Sequence, residues 1–330
     1  LSVPGTTDAS RQAIAAPERR ARLIALIQSR GAIGVLVLAA IVASLVFPFF
    51  PTIANFENIG TAASFLGLVA IGQTFVIILG GFDLSVGSMI GLGSVLAAYA
   101  LPYGWWAALL LPAAAGGAVG LIDGLLIARA GMAPFIVTLA ALLGVRGVAL
   151  LLAKNSLVIA SPGLFGLIAN GQILGVDNLI WIMLASFGIA AIVLNRTRFG
   201  VAVFAIGGNE EAARMLGVPV ARIKVITYVV SGTLAGLSGA LLAAHLSSGI
   251  STAGQGEELK SIAAAVIGGV LLTGGVGTMA GALSGVLLLG LIENVIDQIG
   301  NLSAYYQDLA SGVFLLIAVL IQTILTRRRR

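Results

Sequence analysis

Apolar runs close to the roughly 20 residues that an α-helix needs to cross a bilayer recur along this chain at 31–50, 60–79, 105–128, 134–153, 179–194, 223–244, 279–295 and 304–326. Lipid offers no partner to a backbone amide or carbonyl, so such runs can only be helices packed side by side. Two shorter runs, 86–101 and 259–272, each adjoin a glycine-rich break. Counting both predicts an all-α, polytopic integral membrane protein of about ten transmembrane helices, some of them broken. Composition fits that class: 59% of the 330 residues are hydrophobic and 9% charged, against about 25% charged in a soluble domain. The 44 glycines favour close helix approach in lipid. With no cysteine and one histidine, disulfides, thiolate sites and His-based metal clusters are excluded, and the expectation is no metal.

Lysine and arginine orient the bundle. With the N-terminus inside, 15 of the 18 basic residues fall on the cytoplasmic side, leaving Arg146 within a span and Lys154 and Lys260 at or beyond the far surface. That asymmetry is what the positive-inside rule requires, and it accounts for the net charge of +5 without nucleic acid. The basic start, Arg11 to Arg30, lacks a small-residue cleavage site after a short apolar core, so 31–50 is read as a retained helix. The expected organisation is a cytoplasmic segment 1–30, a transmembrane domain 31–326 and a basic cytoplasmic tail 327–330 held near anionic lipid. Both termini are expected in the cytoplasm, with loops 154–178 and 247–256 facing outward.

Between 195 and 224 lies a hydrophilic island carrying Arg196, Arg198, Glu210, Glu211, Arg214, Arg222 and Lys224. A short helix is written out at its centre. Asn209 can cap it, Glu210 and Glu211 meet the positive end of its dipole, Arg214 meets the other, and Gly217 and Pro219 stop it. So short a helix is unstable alone in water and needs a surface to lean on. A soluble partner beneath a membrane protein supplies one, which points to a coupled transporter.

Other polar residues stand out against the apolar background. Asp83, Ser85 and Ser88 sit at a helix break, where they can satisfy freed backbone groups or touch a polar solute. Arg146 lies mid-span and must face an ion-pair partner (Asp83 or Asp123) or a wet pathway. Gln73 can bond a neighbouring helix or a solute. His245 ends a span at the outer surface. Asp297, Gln298 and Asn301 are read as solvated there, and Tyr103, Trp105 and Trp106 as an interfacial belt. Glu257 and Glu258 follow an outward loop and can dock a protein or cap the helix that starts there. A weak internal echo pairs Val86-Gly87-Ser88-Met89-Ile90-Gly91 with Val276-Gly277-Thr278-Met279-Ala280-Gly281, each opening a helix after a break, as in duplicated transporter halves.

An ordered set of segments resembles the permease subunit of ribose-type ABC importers, which handle monosaccharides. It runs through Gly72-Gln73-Thr74-Phe75-Val76-Ile77, Gly80-Gly81-Phe82-Asp83-Leu84-Ser85-Val86-Gly87-Ser88 and Thr197-Arg198-Phe199-Gly200. It continues in Ala205-Ile206-Gly207-Gly208-Asn209-Glu210, Gly217-Val218, Glu258-Leu259-Lys260-Ser261-Ile262-Ala263-Ala264, Val266-Ile267-Gly268-Gly269 and Gly274-Gly275-Val276-Gly277-Thr278. Lys260 departs from the family's more usual acidic residue, so no role is carried to it.

The resemblance implies a permease without catalytic residues, paired with a second copy or a paralogue. A periplasmic or lipid-anchored sugar-binding protein would serve it outside, and an ABC ATPase subunit, with two fused ATPase domains carrying ATP and Mg, inside. No lysine of the chain follows a glycine as a P-loop requires, so ATP must act from that partner. The coupling set is then Gly207, Gly208, Asn209, Glu210, Glu211, Ala213, Arg214 and Gly217. The candidate substrate pathway is Gln73, Asp83, Ser85, Ser88 and Arg146, and Glu257 and Glu258 are candidate docking points for the binding protein. Two rivals remain at this level: an ion-coupled secondary transporter using Asp83, and a membrane scaffold or receptor subunit without flux.

Overall fold

The structure, a computed structural model, describes residues 31–154, 157–158, 163–300 and 305–327. The expected segment 1–30, Asn301 and the last three arginines lie outside the described residues. The helices in order are α1 (Gly31–Val46), α2 (Ile53–Ile78), α3 (Ser85–Ala100), α4 (Trp105–Ala128), α5 (Pro134–Ala153), α6 (Gly163–Asn170) and α7 (Asn178–Arg196). They continue with α8 (Arg198–Gly208), α9 (Glu210–Met215), α10 (Val220–Leu246), α11 (Glu257–Ile267), α12 (Met279–Ile299) and α13 (Tyr305–Arg327). Seven of them, α2, α3, α4, α5, α7, α10 and α12, are long and apolar enough to cross a membrane. The other three expected crossings correspond to α1, α13 and the 11-residue α11.

α2 is the axle of the bundle: 89% of its span is buried, against 22% for α5. Its apolar side chains, from Leu66 to Ile78, pack with α7, α8, α11 and α12 in one continuous core. The tightest seam joins α4 to α10. Gly116 and Gly232 each abut the other's carbonyl, Gly120 abuts the carbonyl of Tyr228, and Gly236 that of Pro112. A side chain at any of these positions would meet backbone, which is why the four-residue glycine spacing of α4 suits close packing in lipid.

Two backbone irregularities position the site. Between α2 and α3 the chain turns at Gly80 (φ 92°), and between α11 and α12 it turns at Gly269, Gly274 and Gly275, all with positive φ, a region open chiefly to glycine. On the opposite face, residues 247–256 fold into the bundle. Their entry is pinned by an antiparallel pair, β1 (Leu157–Val158) with β4 (Ser248–Gly249), and by the Ile250 amide donating to Ser94 Oγ at 2.8 Å. A second short pair, β2 (Gln172–Ile173) with β3 (Val176–Asp177), closes the loop after α6.

Several expectations are corrected. The island 195–224 holds two helices, not one, since α8 precedes α9. α2 begins seven residues before the expected run because Thr52 caps it and its polar first turns are helical. Gln298 is not simply solvated: its side-chain amide donates to Asn294 Oδ1 at 2.9 Å and to Asn55 Oδ1 at 3.3 Å. Asp297 accepts from Gln307 Nε2 at 2.7 Å. His245 ends α10 with Nδ1 2.7 Å from Asn170 Oδ1 and its ring against Phe65. Trp105 and Trp106 are exposed at the start of α4, as a belt requires.

Candidate functional site: the short capped helix and the helix breaks

The short helix α9 has the caps its sequence spells. Asn209 Oδ1 accepts from the Ala212 amide at 3.0 Å. At the other end Gly217 (φ 80°) turns the chain, its amide donating to Arg214 O while Val218 donates to Ala213 O, both at 3.0 Å. That is the crossed pair of bonds expected at a glycine-terminated helix. Glu210 divides its carboxylate, accepting from Arg214 Nη2 at 3.0 Å and from Lys224 Nζ, on α10, at 2.8 Å. An exposed i,i+4 pair adds only about 0.3–0.5 kcal/mol, so the Lys224 bond, with its lysine largely covered, does more to fix α9 on the bundle. Ala213 points inward, whereas Met215 and Leu216 are 78% and 84% exposed. These two large apolar side chains stand exposed at the end of α9, beside its charged residues. Sequence reasoning missed both; an apolar pair just before the stop glycine was the available signal.

The base of α9 is tied to both helix breaks. Gly207, at the end of α8, packs directly on the carbonyl of Ile78 and the amide of Gly275. The Gly275 amide in turn donates to the Ile78 carbonyl at 2.8 Å. Ile78 ends α2 just before the first break, and Gly275 lies in the second. A Cβ at Gly207 would meet the Ile78 carbonyl, so only glycine permits this three-way junction. Gly208, by contrast, faces open space.

Beyond the first break lies a buried polar cluster. Gln73, Asp83, Ser85 and Ser88 are all fully buried. Asp83 Oδ1 accepts from the Ser85 amide at 3.0 Å and from Ser85 Oγ at 2.6 Å, and Ser88 Oγ donates to the Ser85 carbonyl at 2.8 Å. These bonds satisfy the opening turn of α3, the cap-like task of an aspartate at a helix start. They leave Asp83 Oδ2 without a hydrogen-bond partner among the described residues, as are Asp123 Oδ2 and both amide atoms of Gln73. Asp123, from α4, faces Asp83 and Ser85, and Ser231, from α10, lies beside Asp83. Tyr228 donates to the Phe82 carbonyl at 3.2 Å. The sequence pattern brought out Asp83 but not Tyr228 or Ser231, and it offered Asp123 only as a partner for Arg146.

Arg146 stands apart from this cluster. It makes no ion pair with Asp83 or Asp123 among the described residues. Its guanidinium instead donates to three backbone carbonyls: Ser251 at 2.6 Å, Ala253 at 2.8 Å and Gly87 at 3.0 Å. It therefore staples the inward-folded segment 247–256 to α3 and α5. Glu257 and Glu258 open α11 below that segment, within the bundle and not on an open loop. Lys260 reaches Glu293 at 2.7 Å, Glu257 at 3.4 Å and Asp308 at 3.7 Å, tying α11 to α12 and α13.

A membrane bundle with two helix breaks and a capped helix projecting beside them suits a permease, and comparison with known proteins makes the class that of the ABC-importer permeases. Residues 55–320 match the family described as branched-chain amino acid transport system / permease component, and the chain belongs to that family. It is 40% identical over 302 residues to the ribose import permease protein RbsC of Escherichia coli (strain K12), covering 90% of this chain and 94% of that protein. It is 37% identical over 330 residues to the L-arabinose ABC transporter permease protein AraH of Azospirillum brasilense, covering 99% and 97%. It is also 39% identical over 303 residues to the inner membrane ABC transporter permease protein YjfF of Escherichia coli (strain K12), covering 89% and 91%. No solved structure matches the chain. Permease subunits of this kind have no ATPase activity of their own. Family membership also separates the chain from the secondary-transporter and scaffold readings.

Proposed function

We propose that this chain is the permease of an ATP-driven importer carrying a pentose or similar monosaccharide across an inner membrane, with both termini in the cytoplasm. The relatives named for ribose and arabinose import support the cargo. The observation that carries the mechanism is the packing of Gly207 on Ile78 and Gly275, because it joins the exposed helix α9 to both helix breaks.

A partner ATPase, with ATP and Mg between two fused domains, grips α9 through Met215, Leu216 and the charged rim. Closure of those domains moves α9, and the glycine junction passes the displacement to the ends of α2 and to the loop before α12. Packed cores switch between discrete arrangements rather than deforming smoothly. A shift at the junction therefore exchanges outward- and inward-facing packings. A second copy or a paralogue completes the channel, and a sugar-binding protein delivers the solute from outside, with Glu257 and Glu258 near that entrance. The solute passes Gln73, Asp83, Ser85 and Ser88, whose spare acceptors suit hydroxyl groups, while Arg146 holds the shape of the wall. No covalent step is needed.

Uptake in vesicles holding the permease, its ATPase and its binding protein tests this reading. Radiolabelled ribose or arabinose should accumulate only with ATP on the ATPase side. Accumulation driven by a proton gradient without ATP would overturn it, and accumulation of leucine in place of either pentose would overturn the cargo.

A further inference from the structure

A cleft of about 800 Å³ opens between the end of α4 and the start of α10, and three of its lining residues are Arg129, Arg214 and Arg222. No acidic residue lines it. Glu210, the nearest carboxylate on α9, is already engaged by Arg214 and Lys224. Arg129 and Arg222 have no hydrogen-bond or ion-pair partner among the described residues. Arg222 sits in the first turn of α10, where the positive end of the helix dipole opposes a cation and favours an anion. The floor is of the opposite character: Leu121, Leu125 and Val225 continue the cleft up the two helices. From Arg129 back to Leu121 is about 12 Å along α4 at 1.5 Å per residue.

We propose that this cleft binds an anionic phospholipid, its phosphate held by Arg129, Arg214 and Arg222 and an acyl chain lying along α4 and α10. Cationic pockets between helices at a membrane surface suit such headgroups. A soluble protein could neutralise the arginines, but it could not reach the apolar floor, which belongs to segments that cross the bilayer. A free phosphate would leave that floor empty. One molecule carries both features, and it is the surrounding solvent. Because Arg214 belongs to α9, an occupied cleft would also brace α9 against α4 and α10. That consequence rests on the coupling role proposed for α9, whereas lipid retention does not.

The test is retention of lipid by the purified full chain, measured by native mass spectrometry after exchange into phosphatidylglycerol or phosphatidylcholine. Phosphatidylglycerol should be kept through delipidation that strips phosphatidylcholine. Replacing two arginines together, Arg129→Gln with Arg222→Gln, should weaken retention about thirty-fold, from roughly fivefold per basic residue. Leu125→Trp fills the floor with every arginine in place and should also expel the lipid, which guards against a double variant that inserts poorly. Equal retention of both lipids, or a preference untouched by both variants, overturns the proposal. Full displacement by millimolar inorganic phosphate overturns it in favour of a soluble-anion site. Loss of ATPase copurification in the double variant, in phosphatidylcholine and with no effect of lipid, assigns the arginines to the protein partner instead. Should retention hold while ATPase stimulation is insensitive to lipid, the site stands and the bracing of α9 falls.

Discussion

Two sets of ionisable groups lie inside the bundle, and they are furnished in opposite ways. Around Lys260 three carboxylates, Glu257, Glu293 and the more exposed Asp308, share one ammonium within 4 Å and so bring three helices together. Around Asp83 the second carboxylate, Asp123, arrives with no cation, and oxygens of both remain unbonded among the described residues. A cluster bridged by a cation locks elements together. An unmatched one costs stability and persists only where something other than folding requires it. The first is a structural pin. The second is the one that the proposed solute pathway uses.

That contrast can be broken by substitution. Lys260→Met removes the shared cation and leaves its carboxylates facing one another in a partly buried site. It should cost roughly 3 kcal/mol, read as lower thermal stability in nanodiscs; a neutral result would make the pin dispensable. Arg146→Lys keeps the charge but loses the planar fork across three carbonyls, and should cost about 1.5–3 kcal/mol and expose residues 247–256 to hydrogen exchange. In the unmatched cluster the order reverses. Asp123→Asn should leave stability within about 1 kcal/mol of the parent while lowering pentose uptake about tenfold, the worth of one well-made hydrogen bond. If stability collapses with uptake, the cluster is structural after all. The mildest effect on folding belongs to Glu210→Gln with Arg214→Gln. An exposed pair contributes well under 1 kcal/mol, so insertion and melting should hold while ATP-dependent uptake falls; wild-type uptake in this variant would remove α9 from the mechanism.

Local information made parts of this fold legible. α4 and α5 begin and end where their apolar runs do, because Gly104 and Pro134 mark the starts. α9 was readable since a capping asparagine, an acidic first turn and a stop glycine act within a few residues of one another. The misses share one cause, which is contact across sequence. α8 looks like part of a polar loop until its buried face meets the core through Val203 and Ile206. The role of Arg146 depends on carbonyls more than 100 residues away, and a carbonyl has no letter in a sequence. Asp123 and Asp83 become neighbours only through the packing of two helices.

The glycine seam between α4 and α10 bears on biogenesis. α4 enters the bilayer with its α10 face uncovered, and the partner that fits it is synthesised about 100 residues later, several seconds at ordinary rates of translation. During that interval α3, made earlier and in contact at Gly116 through Met89, covers part of the stripe, and the face meant for α10 stays open. Closure of the seam is therefore a late event, and a single bulky side chain at Gly116 or Gly232 should surface first as degradation of newly made chains.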